Sequence, residues 1–216
     1  MYIYEDYFIV SLNLKRGKIP IRGEKRFSLA LIGAFILDLT DLKRITLENE
    51  NIKVLNPQST RDSILDEILH VISDSEELKS LNYWITKIYE EYDKIEEKVE
   101  NSLIKKNILK RVYRRKWLFL TEELLTPEDP KICQTLLNRM DSIIKYDKIP
   151  NNKIASVFAL AVETDLIPFL FDKKHQGLAK NRANHILDHD FENVDILKKI
   201  IREIGVKETM ENLNEF

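Results

Sequence analysis

The 216-residue chain carries 34 Lys and Arg against 36 Asp and Glu, and a net charge of −2 argues against a globally basic nucleic-acid binder. Its single cysteine excludes an internal disulfide framework and a multi-cysteine zinc site, and points to a reducing compartment. With 44% hydrophobic and 32% charged residues but only 5 Gly and 6 Pro, the composition fits one mainly helical domain over residues 1–216. The core of that domain is expected at about 4–205.

In chain order, Tyr4 to Leu14 reads as a first helix closed at Arg16-Gly17. Ile19 to Gly23 is a connection, and Arg22, Lys25 and Arg26 place positive charge before the next element. That element, Phe27 to Leu39, is apolar at nearly every angle, with only Ser28 and Asp38 clearly polar. A helix apolar all round must be enclosed, and this one is too short for a bilayer, which takes about 20 apolar residues. It is the expected buried centre. Lys43 to Leu47 and Ile52 to Leu55 flank the polar turn Glu48 to Asn51 as a first hairpin. Ile64, Leu65, Ile68, Leu69 and Ile72 recur at helical spacing. Leu81, Trp84, Ile85 and Ile88 start a long helix, continued by Tyr92, Ile95, Val99 and Leu103, with an interruption at Asp93 left open. Asn107 closes it.

Ile108 to Leu120 alternates in part and reads as a second hairpin. Thr126-Pro127 looks like a helix start, with Pro at the first helical position and the helix running through Leu136, Leu137, Met140 and Ile144. Ile154 to Val162 is a second almost wholly apolar helix, ending near Pro168 in the apolar run Leu166 to Phe171. Ala179–Leu187 and Val194–Ile204 are amphipathic, and Glu208 to Phe216 is expected to fray. The expected fold is mainly α: a single-domain helical bundle around buried apolar helices, with two small β-hairpins. Phe27–Leu39 and Ile154–Val162 are its expected most buried helices.

The first residues lack the basic start and apolar run of a secretory signal, and no stretch is long and apolar enough to span a bilayer. The expectation is a cytoplasmic protein, peripheral to the cytosolic face of a membrane. Between Glu100 and Glu122 there is no acidic residue, while Lys105, Lys106, Lys110, Arg111, Arg114, Arg115 and Lys116 crowd the interval. Tyr113, Trp117 and Phe119 lie among these cations. Arg donates forked hydrogen bonds to phosphate, and Trp and Tyr favour the headgroup level of a bilayer. Arg111, Tyr113, Arg114, Arg115, Lys116 and Trp117, with Arg22, Lys25 and Arg26, are therefore candidate contacts for anionic lipid headgroups. The competing reading is a hairpin whose aromatics pack on the core while its cations keep an edge soluble.

Other chemistry is sparse. His185 and His189 are at i, i+4, as in zinc peptidases, but Asp188 replaces the usual Glu and no third ligand has a place. Cys133 has no nearby His to make it a nucleophile. No glycine-rich phosphate loop exists. The reading is a non-enzyme without cofactor or metal.

Several stretches together, Tyr7-Phe8-Ile9-Val10, Lys15-Arg16-Gly17-Lys18, the buried helix, Lys43-Arg44-Ile45, Leu65-Asp66-Glu67-Ile68-Leu69 and Tyr83-Trp84-Ile85, follow a characteristic order and spacing. In this the chain, from about Tyr4 to Gly205, resembles the Golgi phosphoprotein 3 family. It looks like a divergent member, of a kind expected in an organism without a Golgi. The resemblance implies a peripheral adaptor that binds phosphatidylinositol 4-phosphate and tethers client proteins, with a second hairpin that meets membranes and neighbouring subunits. The family's headgroup pocket uses a Trp before the buried helix, an Arg at its start and two basic residues on the helix before the second hairpin. Those positions fall near Gly23, Ile32, Asp93 and Glu96, none of which has the required chemistry, and Arg22, Lys25 and Arg26 are the available substitutes. The alternative is a winged-helix-like nucleic-acid-binding regulator, since helix-then-hairpin occurs twice; nearly neutral charge counts against it.

Overall fold

Residues with no room for water come first in this chain. The computed structural model describes residues 1–13, 16–92, 94–117, 120–146, 151–188 and 192–214; for Lys116, Trp117, Leu120 and residues 208–214 it describes only the backbone. Helix α1 (Ile3–Ser11) is buried at every position, Glu5 and Asp6 included. This corrects the expectation that the two apolar helices would be the most enclosed. The acids are tolerated because lysines reach them: Lys153 lies 3.0 Å from Asp6, and Lys106 lies 2.7 Å from Glu5. Charges are buried only when so paired.

Helix α2 (Lys25–Asp41) follows, buried from Leu29 to Thr40 without a break. Its Asp38 accepts hydrogen bonds from the backbone N–H groups of Ile3 (2.7 Å) and Tyr4 (3.0 Å), satisfying two orphan donors at the start of α1. Burial pushes the Asp38 carboxyl up to about 8, and those two hydrogen bonds oppose the shift. Strands β1 (Ile45–Glu48) and β2 (Asn51–Val54) form the first hairpin. A short β3 (Lys79–Ser80) adds to the β2 edge, so the expected hairpin is a three-stranded sheet in the order β1-β2-β3. Between them, α3 (Ser63–Ser73) buries Ile64, Leu65, Ile68, Leu69 and Ile72, the face read from periodicity, and Asp62 caps its N-terminus.

The expected long helix is two, α4 (Leu81–Glu91) and α5 (Ile95–Lys105). Lys94 at their junction is left-handed, with φ 61°, which no continuous α-helix accommodates. Asp93 lies outside the described residues. The second hairpin is also larger than expected. Strand β4 (Leu109–Trp117) takes up almost all of the segment read as a whole hairpin, and β5 (Leu120–Pro127) is its return. Pro127 ends a strand, opposite Leu109, instead of starting a helix. The proline at a helix start is Pro130, which opens α6 (Pro130–Tyr146).

Helices α7 (Asn152–Glu163), α8 (Ile167–Leu170), α9 (Lys173–Asp188) and α10 (Val194–Asn214) complete the chain. Both α9 and α10 extend beyond the apolar stretches that announced them. The result is mainly α, with two small antiparallel sheets. Helix α2 contacts α1, α3, α4, α5, α7 and α10, so the enclosure expected of its apolar surface is met by helices on several sides.

Gly33 on α2 shows how closely one neighbour approaches. A Cβ there would lie 2.4 Å from Cγ2 of Ile200 on α10. Gly33→Ala should therefore destabilise the protein by about 1–3 kcal/mol, read as a lower urea midpoint. Combined with Ile200→Ala, the loss should be smaller than the sum of the two single losses, giving a favourable coupling energy between the two sites.

Candidate lipid-headgroup interface

The β4–β5 hairpin is fastened at its foot and exposed further out. Leu109, Leu124 and Leu125 are buried. The Leu125 N–H donates to the Gly17 carbonyl (2.8 Å), and the Glu128 N–H to the Ile108 carbonyl (2.9 Å). Gly17 has φ +64°, and a Cβ there would meet the Leu124 Cβ at 2.8 Å, so both backbone and space call for glycine where the loop crosses the hairpin. Farther along β4, Tyr113 is 67% exposed and the Arg114 side chain 63%. Arg115 is exposed and pairs in register with Thr121, and the register then shifts before Trp117 pairs with Leu120. Leu118 and Phe119 lie outside the described residues.

The basic interval is less bare than its sequence. The stretch from Asn101 to Thr121 contains no acid, but the return strand and neighbouring helices supply them. Lys106 points inward to Glu5 and Asp62. Lys110 pairs with Glu128 at 2.9 Å and Arg114 with Glu122 at 3.5 Å, while Lys18 shares Glu122 at 2.5 Å. Arg111 donates to Glu100 Oε1 through both Nε (2.9 Å) and Nη2 (2.5 Å), and its Nε is 2.8 Å from Glu123.

Two residues read separately from the sequence meet at one carboxylate. Glu100 of α5 is buried, and its Oε2 accepts Arg22 Nη1 at 2.5 Å while its Oε1 accepts Arg111. Arg22 and Arg111 thus clasp the connection before α2 to the foot of the hairpin. The other cations near α2 are also engaged. Arg26 reaches Glu24 (2.7 Å) and Asp165 (2.8 Å), and Lys25 Nζ lies 5.7 Å from the centroid of the Tyr89 ring. Only their number, not their pairing, was legible in the chain.

Two of the positions implied by the family resemblance, Gly23 and Glu96, line a cavity of about 500 Å³ at the start of α2 and the α4–α5 junction, together with Arg22, Tyr92 and Lys94 among others. Its chemistry is unsuited to a phosphate. The Gly23 N–H, which a headgroup oxygen could have used, donates to Glu96 (3.2 Å), as does the Ser28 hydroxyl (2.9 Å). Ile32 is fully buried.

The remaining sequence candidates offer little. Burial pushes the Cys133 thiol up to about 11, the opposite of an activated nucleophile. His189 lies outside the described residues, so the His185–His189 pair is not described. As for the winged-helix alternative, α2 is enclosed, and α5 before the second hairpin carries Glu96, Glu97 and Glu100, charges that a DNA backbone repels.

Among the described residues, no helix is long and apolar enough to cross a membrane. No curated protein is similar enough to count as a relative of this chain. The pattern of one family, by contrast, runs through residues 3–204, nearly the whole length, covering both sheets, the clasp at Glu100 and the exposed hairpin. The chain belongs to the Golgi phosphoprotein 3 (GPP34) family.

Proposed function

We propose that the protein is a non-enzymatic peripheral adaptor, one domain of about residues 4–205, that meets anionic lipid headgroups at the cytosolic face of a membrane. Family membership supports the coarse reading, a lipid- or protein-binding adaptor. The observation that carries the finer one is the exposed part of β4, where Tyr113, Arg114 and Arg115 are exposed in succession on a fastened arm. Lys116 and Trp117 continue this segment in sequence. An aromatic ring beside guanidinium groups suits the boundary between headgroup phosphates and acyl chains. Arg22 and Arg111 support that arm from behind, through Glu100, instead of contacting lipid. Selectivity for phosphatidylinositol 4-phosphate over other anionic lipids should be small, because Glu96 occupies the Gly23 N–H in the inner cavity. Client proteins and a second copy of the chain remain further partners of this reading.

Sedimentation with vesicles tests it. The protein should pellet with vesicles containing phosphatidylserine or phosphatidylinositol 4-phosphate, and not with pure phosphatidylcholine. Binding should fall with added salt, since exposed charges are screened over about 8 Å at physiological ionic strength. Replacing Arg114, Arg115 and Lys116 together by Ser removes about 1 kcal/mol per cation, less where Glu122 already offsets Arg114, so affinity should drop by about thirtyfold or more. The melting temperature should stay nearly unchanged. Glu122→Gln with Glu123→Gln should act in the other direction and tighten binding by up to about tenfold, because those carboxylates offset the cations. If the triple variant pellets as well as the parent, the hairpin is not the membrane surface.

A further inference from the structure

Beside the foot of the hairpin lies a second opening that the adaptor reading leaves unused. It is a cavity of about 340 Å³ between the end of α1, the middle of α6 and the short α8. Ile9, Val10 and Cys133, all buried, form its floor. Leu137 and Phe169 form walls, and Phe169 is 47% exposed. A large apolar side chain left at the rim of a mainly apolar cavity of this size is the usual build of a site for a small apolar ligand.

Among the described residues that line it, one is charged, and the charge is positive. Arg16 is held by its backbone, whose N–H donates to the Asn13 carbonyl (3.0 Å) and to Asn13 Oδ1 (3.1 Å). Its guanidinium makes no hydrogen bond or ion pair among the described residues, whereas Arg22, Arg26, Arg111 and Arg114 all face carboxylates. Among the described residues the lining includes no acid, and burial pushes the Cys133 thiol up to about 11, so no counter-charge for Arg16 is found among them.

We propose that this cavity binds a single-chain amphiphile with an anionic head, of the medium-chain fatty-acid class, its hydrocarbon on Ile9, Val10 and Cys133 and its carboxylate on Arg16. A guanidinium pairs with a carboxylate through two parallel hydrogen bonds, and the apolar floor removes the tail from water. The hairpin is not needed for this binding, so either reading can fail without the other.

Titration calorimetry with decanoate below its micelle concentration tests the site. Decanoate should bind, and decyltrimethylammonium should bind at least about tenfold more weakly, because its head repels Arg16. Arg16→Ala should weaken decanoate by about tenfold while leaving the melting temperature unchanged. Leu137→Trp should fill the cavity and abolish binding. Should that variant fold poorly, Phe169→Asp, at an exposed position, should repel the anion and lower affinity comparably. Vesicle sedimentation of Leu137→Trp tells the source of the chain: unchanged pelleting indicates a dissolved acid, and weakened pelleting an acyl chain taken from the bilayer. The proposal is overturned if decanoate does not bind the parent, or binds Leu137→Trp and Phe169→Asp as tightly as the parent.

Discussion

Leu31→Asp should leave no cooperatively folded protein. Leu31 lies at the middle of α2 and is fully buried, as are Phe35 and Phe27 on the same helix. A carboxylate there would sit inside the hydrophobic core cluster. An isolated ionised group in such a site costs several kcal/mol even after the surroundings relax, and the packing of leucine is lost as well. Total stability of a domain is about 5–15 kcal/mol, so the sum removes most or all of it. Phe158→Asp on α7, equally buried, should behave alike. Leu31→Met is the control, since a volume-conserving exchange costs less than about 1.5 kcal/mol. Circular dichroism through a thermal melt reads the outcome. A soluble Leu31→Asp protein with a sharp transition near that of the parent would remove α2 from the centre of the core.

Lys106→Met should cost about 3 kcal/mol. Lys106 caps the end of α5, and its ammonium donates to Glu5 Oε1 (2.7 Å) and Asp62 Oδ2 (2.6 Å). Asp62 also accepts the Tyr4 hydroxyl (2.9 Å) and the Ile64 and Leu65 N–H groups (both 3.1 Å). One ammonium thus joins α1, the start of α3 and the end of α5. Methionine keeps much of the stem but leaves two buried carboxylates without a counter-charge, a loss of about 3–5 kcal/mol in fully buried settings. The lower end applies here because the ammonium side is partly open to water. For a chain of this length the melting temperature should fall by roughly 6–12 °C. Burial acts to lower the Lys106 pKa, but the hydrogen bonds it donates to Asp62 and Glu5 outweigh it and hold it above the ordinary lysine value. Stability linked to a raised lysine is complete below the unfolded pKa and is lost as pH rises through the folded one. The gap between parent and variant should therefore stay constant across neutral pH and close only in strongly alkaline solution. Lys106→Arg should retain most of the stability. A Met variant melting within about two degrees of the parent would show that the network contributes little.

The same lysine marks the limit of reading charge from the chain alone. Lys106 belongs to the acid-free interval that looks like a surface patch, yet its ammonium reaches the buried carboxylates of Glu5 and Asp62. Spacing in sequence reports which cations are numerous; it does not report which carboxylates fold back onto them. Glu122 and Glu123 stand opposite Arg114 and Tyr113 only because β5 returns in that register. Neither strand length could be read from alternation, because the register shift near Lys116 interrupts the period and Pro127 resembles a helix start.

What local sequence determined is whatever depends on periodicity and on apolar content. The enclosed α2 and α7, the buried faces of α3 and α4, and the order of motifs that places the chain in its family all rest on side-chain spacing along one element. Burying apolar area needs no knowledge of the partner, so such elements announce themselves. Only the tertiary structure decided where the charges go. It closed α1 over two acids with Lys106 and Lys153, joined Arg22 to Arg111 across Glu100, and turned the Gly23 N–H to Glu96. It also left Arg16 beside an apolar cavity with no carboxylate among the described residues that line it. Pairing of charges is a contact between segments far apart in the chain, as with Lys153 and Asp6, and no local pattern encodes which pairs will meet.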